Sequence, residues 1–200
     1  EAIFYTTQSI IWTQKLQDPE TINNCPKDAR EVIFSPQRLT DYKAQEASAW
    51  YNRGRAYRFK YLESDENYSY RGAAITSMKN AAKLGHERAQ YFFPGLLMRS
   101  ATDEQLNEAA EYARDKVLAD PEHYLILGNE AGEDTNDEEI GSDVVCMIAQ
   151  YYAEGLGSFP KNGDTAHRLF ETAAAHNSEW AKDALGHFKK KLFGGWEFSA

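Results

Sequence analysis

The amino-acid sequence predicts an all-α protein built from consecutive helical hairpins. Segments 74–89 (AITSMKNAAKLGHERA) and 166–181 (AHRLFETAAAHNSEWA) align with each other without a gap. In both segments the matched apolar residues recur at i, i+4, i+7 and i+8, which places them on one face of an α-helix. A pair of alanines within each stripe lets a second helix approach closely. An internal repeat of this kind is typical of stacked helix–turn–helix units.

Each copy also indicates where its helix ends. Gly85 and Asn177 occupy equivalent positions, and glycine and asparagine are the residues that best tolerate the left-handed backbone found after many helices. Similar second-helix segments recur around Ile148 and Leu185, so the repeated unit is predicted to be a helical hairpin. A separate long helix is expected over 40–60.

The two ends of the chain depart from this pattern. Residues 1–40 contain three prolines and few helical stripes, and they are expected to form an extended, irregular cap with one short helix near 9–16. Residues 41–200 are expected to form the helical array, which needs atypical ends to cover its last hairpins. After the glycines at 194–195, Trp196 is expected to fold back over the array together with Phe198.

The stretch 151–164 (YYAEGLGSFPKNGD) has a superficial likeness to a phosphate-binding loop. It lacks the GxxxxGK[ST] pattern and the third glycine of a dinucleotide-binding turn, and its glycines follow a predicted helix instead of a strand. We therefore interpret it as a turn between two helices. Asp164 is expected to cap the next helix.

No catalytic or metal-binding constellation is recognisable in the sequence. The five histidines form no HExxH motif and no i, i+4 pair, and no GxSxG motif is present. Cys25 and Cys146 show no metal-ligand spacing, so both a single disulfide and two independent thiols remain possible. Cys146 lies in an apolar stretch and is expected to be an inert buried thiol. We expect a non-enzymatic protein without a cofactor or a metal.

Charge and hydropathy restrict the partners. Lys and Arg number 22 against 31 Asp and Glu, a net charge of −9, which disfavours nucleic acid and anionic lipid and favours a basic protein surface. No apolar run is long enough to span a bilayer. The chain begins at Glu1 without a methionine, which is consistent with a leader that has been removed. We expect a membrane tether only through such a lipidated leader.

Two features are predicted to bind a partner. The run 129–143 (NEAGEDTNDEEIGSD) contains acidic residues and no basic ones, and it is either a solvated loop or an acidic loop that docks on a basic groove. An EF-hand is disfavoured, because Glu139 stands where that loop requires glycine. The predicted partner-binding residues of the acidic loop are Glu133, Asp134, Asp137, Glu138 and Glu139.

Aromatic residues provide the second feature. Tyr57, Tyr152 and Phe170 occupy apolar stripe positions and are expected in the core. Tyr51 and Tyr151 lie beside the stripe and are expected to face a partner, since tyrosine is a frequent anchor at protein interfaces.

The order of these residues resembles a known repeat. The residues follow the order Ala, Leu-Gly, Tyr, Gly-x-Gly, a polar turn, Ala, an aromatic residue, Ala-Ala, and Gly or Asn. This order is similar to that of the Sel1-like repeat, a relative of the tetratricopeptide repeat. The resemblance is strongest over 144–195, good over 72–97 and weak over 103–132. It implies a right-handed α–α solenoid that binds other proteins. Pro94 replaces a glycine of the pattern, so the solenoid is expected to be irregular.

The resemblance also implies a function. Single-domain Sel1-like proteins with irregular N-terminal extensions resemble the periplasmic immunity lipoproteins that Gram-negative bacteria use against phospholipase effectors of type VI secretion. We therefore expect a periplasmic protein that inhibits a secreted lipase toxin, with the acidic loop entering a basic active-site cleft. The alternatives are a general adaptor or scaffold of an envelope or signalling complex, a cytoplasmic location, and an enzyme or carrier of a small molecule.

Overall fold

The computed structural model describes residues 1–64, 68–99, 102–133, 139–192 and 194–199, apart from the side chains of 132 and 133. These residues form helices and one two-stranded hairpin, which confirms the all-α class. The elements are α1 (Ala2–Gln17), α2 (Pro19–Asn23), α3 (Lys27–Ile33), α4 (Pro36–Glu63), α5 (Tyr68–Lys83), α6 (Glu87–Met98), α7 (Asp103–Ala119), α8 (Pro121–Glu133), α9 (Ile140–Glu154), α10 (Gly163–Ala175), α11 (Glu179–Leu185), β1 (Phe188–Lys190) and β2 (Trp196–Phe198). Within the described ranges, no helix combines the length and the apolar composition that crossing a bilayer requires.

The chain divides into two compact units, residues 1–90 and 91–200. We call them the N-terminal unit and the C-terminal unit. In the N-terminal unit α4 packs against α1 and α5. Gly54 lies so close to Met78 that a Cβ there would be 2.9 Å from the Met78 side chain. Ala81 and Ala82, the paired alanines of the first repeat, are buried.

Residues 1–40 differ from the extended cap expected from the sequence, because most of them are helical. Two of the prolines occupy the first turn of a helix, where a backbone N–H has no acceptor within the helix, so the N–H that proline lacks costs no hydrogen bond. Pro19 opens α2 behind the Asp18 cap, and Pro36 opens α4 behind the Ser35 cap. Pro36 therefore starts α4 instead of belonging to an extended segment, and the helix expected over 40–60 extends over Pro36–Glu63.

The helix ends expected at Gly85 and Asn177 are confirmed. Their φ angles are +88° and +68°. In both turns two backbone N–H groups bond back to the helix: His86 N to Ala81 O at 3.0 Å, and Ser178 N to Ala173 O at 3.1 Å, each accompanied by a shorter-span bond. This paired pattern satisfies carbonyls that a helix end leaves unbonded. The aligned segments thus share their conformation at the turn.

In the C-terminal unit α9 is the central helix and packs against α7, α8 and α10. The contact of α8 with α9 is close, because a Cβ on Gly128 would lie 2.6 Å from the Cα of Gly141. Tyr152 and Phe170 are buried as expected, whereas Tyr57 of the other unit is only partly buried. Helix α6 continues through Pro94.

The stretch 151–164 is a helix end followed by a turn, as predicted. Gly155 has a φ of +77° and closes α9, with its N–H bonded to Tyr151 O at 2.9 Å. The expectation for Asp164 is wrong: Asn162 caps α10 by accepting a bond from Thr165 N. Asp164 lies in the first turn of α10 and accepts the backbone N–H of Trp196 at 2.6 Å.

The C-terminal residues fold back, as expected. Strands β1 and β2 pair antiparallel, and the positive φ angles of Gly194 and Gly195 make the reversal between them possible. The Trp196 indole stacks on the His167 imidazole with ring centroids 3.8 Å apart. The hairpin therefore covers the start of α10.

Replacing glycine by alanine tests the α8–α9 contact. Gly128→Ala should lower the free energy of unfolding by about 1–3 kcal/mol, because the added methyl group meets the Gly141 backbone, which cannot rotate away. The matched control is Gly72→Ala in α5, where an added Cβ meets nothing within 4 Å; it should raise the free energy of unfolding by about 0.5–1 kcal/mol. Denaturant unfolding followed by circular dichroism measures both, and equal effects of the two changes would contradict the close contact.

Candidate functional site

The predicted acidic loop lies largely outside the described residues. Asp134, Asp137 and Glu138 fall outside them, as does the side chain of Glu133. Glu139 is exposed immediately before α9 and makes no side-chain capping bond there. The partner-binding role of the acidic loop therefore stays a prediction.

Tyr51 does not face outward as expected. It is only 5% exposed, and its ring stacks on the imidazole of His86 with centroids 4.2 Å apart. Burial, and then the positive charge of Arg88, lower the pKa of His86. The position beside the apolar stripe of α4 is covered by the turn after α5, which the sequence pattern of α4 alone does not reveal.

Tyr151 is also largely buried, at 7% exposure, and its ring packs edge-on against Phe159 with centroids 5.1 Å apart. It nevertheless lines an open groove of about 510 Å³ in the C-terminal unit. We call this the α7–α9 groove. Its lining residues come from the end of α6, from α7, α9 and α11, and from the turn after α9; they are Met98, Asp103, Leu106, Asn107, Met147, Gln150, Tyr151, Leu156, Gly157 and Trp180.

The lining of the groove is mainly apolar. Met147 is buried, whereas Leu156 and Trp180 are 38% and 39% exposed. Trp180 therefore offers a large indole surface to a bound group. Burial and the neighbouring Asp103 carboxylate raise the pKa of Tyr151, so this hydroxyl stays protonated and is available as a donor.

Acidic residues continue along α7 beside the groove. Glu104, Glu108 and Glu111 follow one another at i, i+4 and i+7, which puts them on one face of the helix. Together with Asn107 and Tyr112 they line an open depression, and Asn107 lines the α7–α9 groove as well. We call Glu104, Glu108 and Glu111 the acidic rim. A groove with apolar walls is thus bordered by a row of carboxylates.

The charge of the whole C-terminal unit has the same sign. Residues 91–200 contain 20 acidic against 9 basic residues, whereas residues 1–90 contain 11 acidic against 13 basic ones. The net negative charge of the chain therefore belongs to the C-terminal unit. The net charge of the whole chain does not reveal this difference between the two units.

The structure describes both cysteine thiols and the His167 imidazole. Cys146 is a buried free thiol whose Sγ lies 3.4 Å from Ser178 Oγ, and burial raises its pKa to about 11. It is therefore the inert thiol expected. Cys25 is free as well. His167 Nδ1 lies 3.2 Å from a Glu171 carboxylate oxygen, but Trp196 stacks on that imidazole. Among the described residues, no group of His, Cys, Asp and Glu is placed to hold a metal ion.

The sequence predicted a partner-binding role for Tyr151, which stays a prediction, and it did not single out the other residues that line the groove. Leu106, Met147 and Trp180 come from three helices far apart in the chain, and no local spacing relates them. The i, i+4, i+7 spacing of the acidic rim is the one signal in the sequence that points to this surface.

Comparison of the chain with family models, with curated proteins and with solved structures gives no match. The Sel1-like resemblance consequently remains an expectation from the residues that suggested it. The function has to be argued from the α7–α9 groove, the acidic rim and the charge of the C-terminal unit.

Proposed function

We propose that this chain is a non-enzymatic protein-binding protein whose α7–α9 groove takes a basic segment of a partner protein. The observation that carries the proposal is the position of the acidic rim on α7 directly beside an apolar groove lined by Trp180, Tyr151 and two methionines. A segment with one large apolar side chain flanked by Lys or Arg matches both parts of this surface.

The two parts of the surface have different energetic roles. Tryptophan and tyrosine in a pocket that excludes water are the residues that most often dominate binding energy, and methionine adapts its shape to the bound group. The acidic rim is solvent-accessible, so its carboxylates contribute mainly to the rate of association and to the choice of partner. Apolar contact should therefore set the lifetime of the complex, and charge should set the rate at which the complex forms.

The finer proposal concerns the partner. The Sel1-like resemblance and the helix–turn–helix repeat favour a periplasmic immunity protein that inhibits a secreted phospholipase-type toxin. A cleft that binds phosphate groups is basic, so the acidic rim, together with the acidic loop at 129–143, would imitate its anionic substrate. The acidic loop enters this proposal on its sequence alone.

A peptide library tests the groove directly. Random peptides selected on the wild-type chain should be enriched in Lys and Arg around a single aromatic or aliphatic residue, and Trp180→Ala should weaken their binding about 30-fold, as for an interface residue worth about 2 kcal/mol. Leu192→Ala is the control, because Leu192 is 91% exposed and does not line the groove. The proposal would be contradicted if the selected peptides were acidic or neutral, or if the Trp180 and Leu192 variants lost the same amount of peptide affinity.

Charge neutralisation tests the acidic rim. Replacing Glu104, Glu108 and Glu111 by glutamine should slow association of the selected basic peptides about tenfold at low salt and flatten the salt dependence of the rate. The dissociation rate should change little.

The control for this variant removes the same charge elsewhere in the C-terminal unit. Glu122→Gln, Asp183→Asn and Glu197→Gln together change three exposed acids outside the groove, the rim and the acidic loop. If both triple variants slow association equally, the net charge and not the acidic rim attracts the partner. Stopped-flow measurement at several salt concentrations distinguishes the two.

The immunity proposal has its own test. A secreted lipase encoded beside the gene for this chain should be bound and inhibited by the purified protein, and co-expression should rescue cells from it. Trp180→Ala should reduce both binding and rescue. Binding without inhibition would replace the immunity proposal with the adaptor alternative, and no binding to that lipase would reject the immunity proposal while leaving the groove to the peptide test.

A further inference from the structure

Helix α1 presents its apolar side to solvent. Phe4, Tyr5, Ile11 and Trp12 are 61%, 67%, 50% and 62% exposed. They follow a spacing of i, i+1, i+7 and i+8, so they share one side of the helix. Four large apolar side chains on one side of a helix form a patch that soluble proteins rarely leave uncovered. We call it the α1 face.

The opposite side of α1, which carries the buried Ile10 and Thr13, is held against α4. Gln14 donates to Glu46 Oε1 at 2.7 Å, and Gln17 donates to Glu46 Oε2 at 2.9 Å. The indole N–H of Trp50 donates to the same carboxylate at 3.2 Å. Glu46 is only 7% exposed, and a buried carboxylate that loses its donors is strongly destabilising.

These hydrogen bonds fix the orientation of α1. Turning the helix to bury Phe4 and Trp12 would withdraw both glutamines from Glu46 and place the buried Thr13 in solvent. Glu46 would then keep only the Trp50 donor, and the cost of a buried carboxylate that loses two donors opposes that rotation. Among the described residues the α1 face therefore points outward, where it is accessible to a binding partner.

The α1 face is symmetric about Gln8. Phe4 lies four residues before Gln8 and Trp12 four residues after it; Tyr5 lies three before and Ile11 three after. If two copies of α1 pack antiparallel across an axis at Gln8, Phe4 of each copy meets Trp12 of the other, and Tyr5 meets Ile11. Aromatic and aliphatic pairs of this kind add to the burial of apolar area.

The charges at the ends of the α1 face obey the same symmetry. Glu1 lies seven residues before Gln8 and Lys15 seven residues after it, so antiparallel pairing brings each acid beside a base of the other copy. Lys15 already lies over the Trp12 ring, 5.7 Å from its centroid. The helix dipoles also oppose each other in this arrangement, which is favourable. The seam consists of Phe4, Tyr5, Gln8, Ile11 and Trp12; Gln8 is three or four residues away from each of the other four, as helix pairs require.

We propose that the α1 face binds a second copy of this chain, with two α1 helices packed antiparallel about a two-fold axis at Gln8. The distribution of charge favours this occupant. The N-terminal unit is nearly neutral, with 13 basic and 11 acidic residues, so two copies can approach there without strong repulsion. Lys15 is the one charged residue within α1 itself, and a single cation is a weak attraction for an anionic bilayer.

Sedimentation equilibrium of the full chain tests the association. The wild-type protein should have twice the mass of the Trp12→Asp variant, which should be a monomer because it places a carboxylate in the apolar seam. Leu192→Asp changes an exposed leucine outside the α1 face and should leave the dimer intact. Trp180→Ala should also leave it intact, so failure of this proposal and failure of the groove proposal are separable.

Disulfide trapping tests the antiparallel register. In a Cys25→Ser background, Gln8→Cys should form a covalent dimer on mild oxidation, because the two copies of residue 8 face each other. Phe4→Cys alone should not, since its two copies lie about 12 Å apart along the pair, beyond the reach of a disulfide. A mixture of Phe4→Cys and Trp12→Cys chains should cross-link into heterodimers.

Three results would overturn the proposal. A monomeric wild-type chain would reject self-association. Efficient cross-linking of Phe4→Cys to itself would show a parallel pair. A monomer that sediments with phosphatidylcholine vesicles, and loses this property in Trp12→Asp, would assign the α1 face to a lipid surface.

Discussion

The close approach of helix backbones is the constraint on which the rest of this structure depends. Gly128 against Gly141, and Gly54 against Met78, leave no room for a side chain of normal size. Such contacts require a glycine on at least one of the two helices, because a side chain there would occupy the space that the neighbouring helix fills.

The separation of charge between the two units suits each apolar surface to a different kind of partner. The α7–α9 groove belongs to a unit with a large excess of carboxylates, and the acidic rim adds a local field to it. The α1 face belongs to a nearly neutral unit and carries one symmetric pair of charges, Glu1 and Lys15. The first surface suits a basic protein segment and the second suits its own copy, so the two proposals rest on different residues.

Local features of the structure were predictable from the sequence, whereas features that depend on distant residues were not. The helix ends at Gly85 and Asn177 each depend on a backbone preference within one turn. By contrast, Asp164 bonds to Trp196 instead of capping α10, and Tyr51 is covered by His86 from beyond the next helix. The α7–α9 groove likewise joins residues of separate helices, whose spacing in the sequence carries no signal.

Methyl NMR of the methionines tests the central claim, that partners bind in the α7–α9 groove, most directly. The chain has three methionines: Met98 and Met147 line the groove, and Met78 is fully buried in the N-terminal unit. On titration with a library-selected basic peptide, the account predicts that the methyl signals of Met98 and Met147 shift while that of Met78 stays in place. The account would be contradicted if the peptide bound and the methyl signals of Met98 and Met147 did not shift.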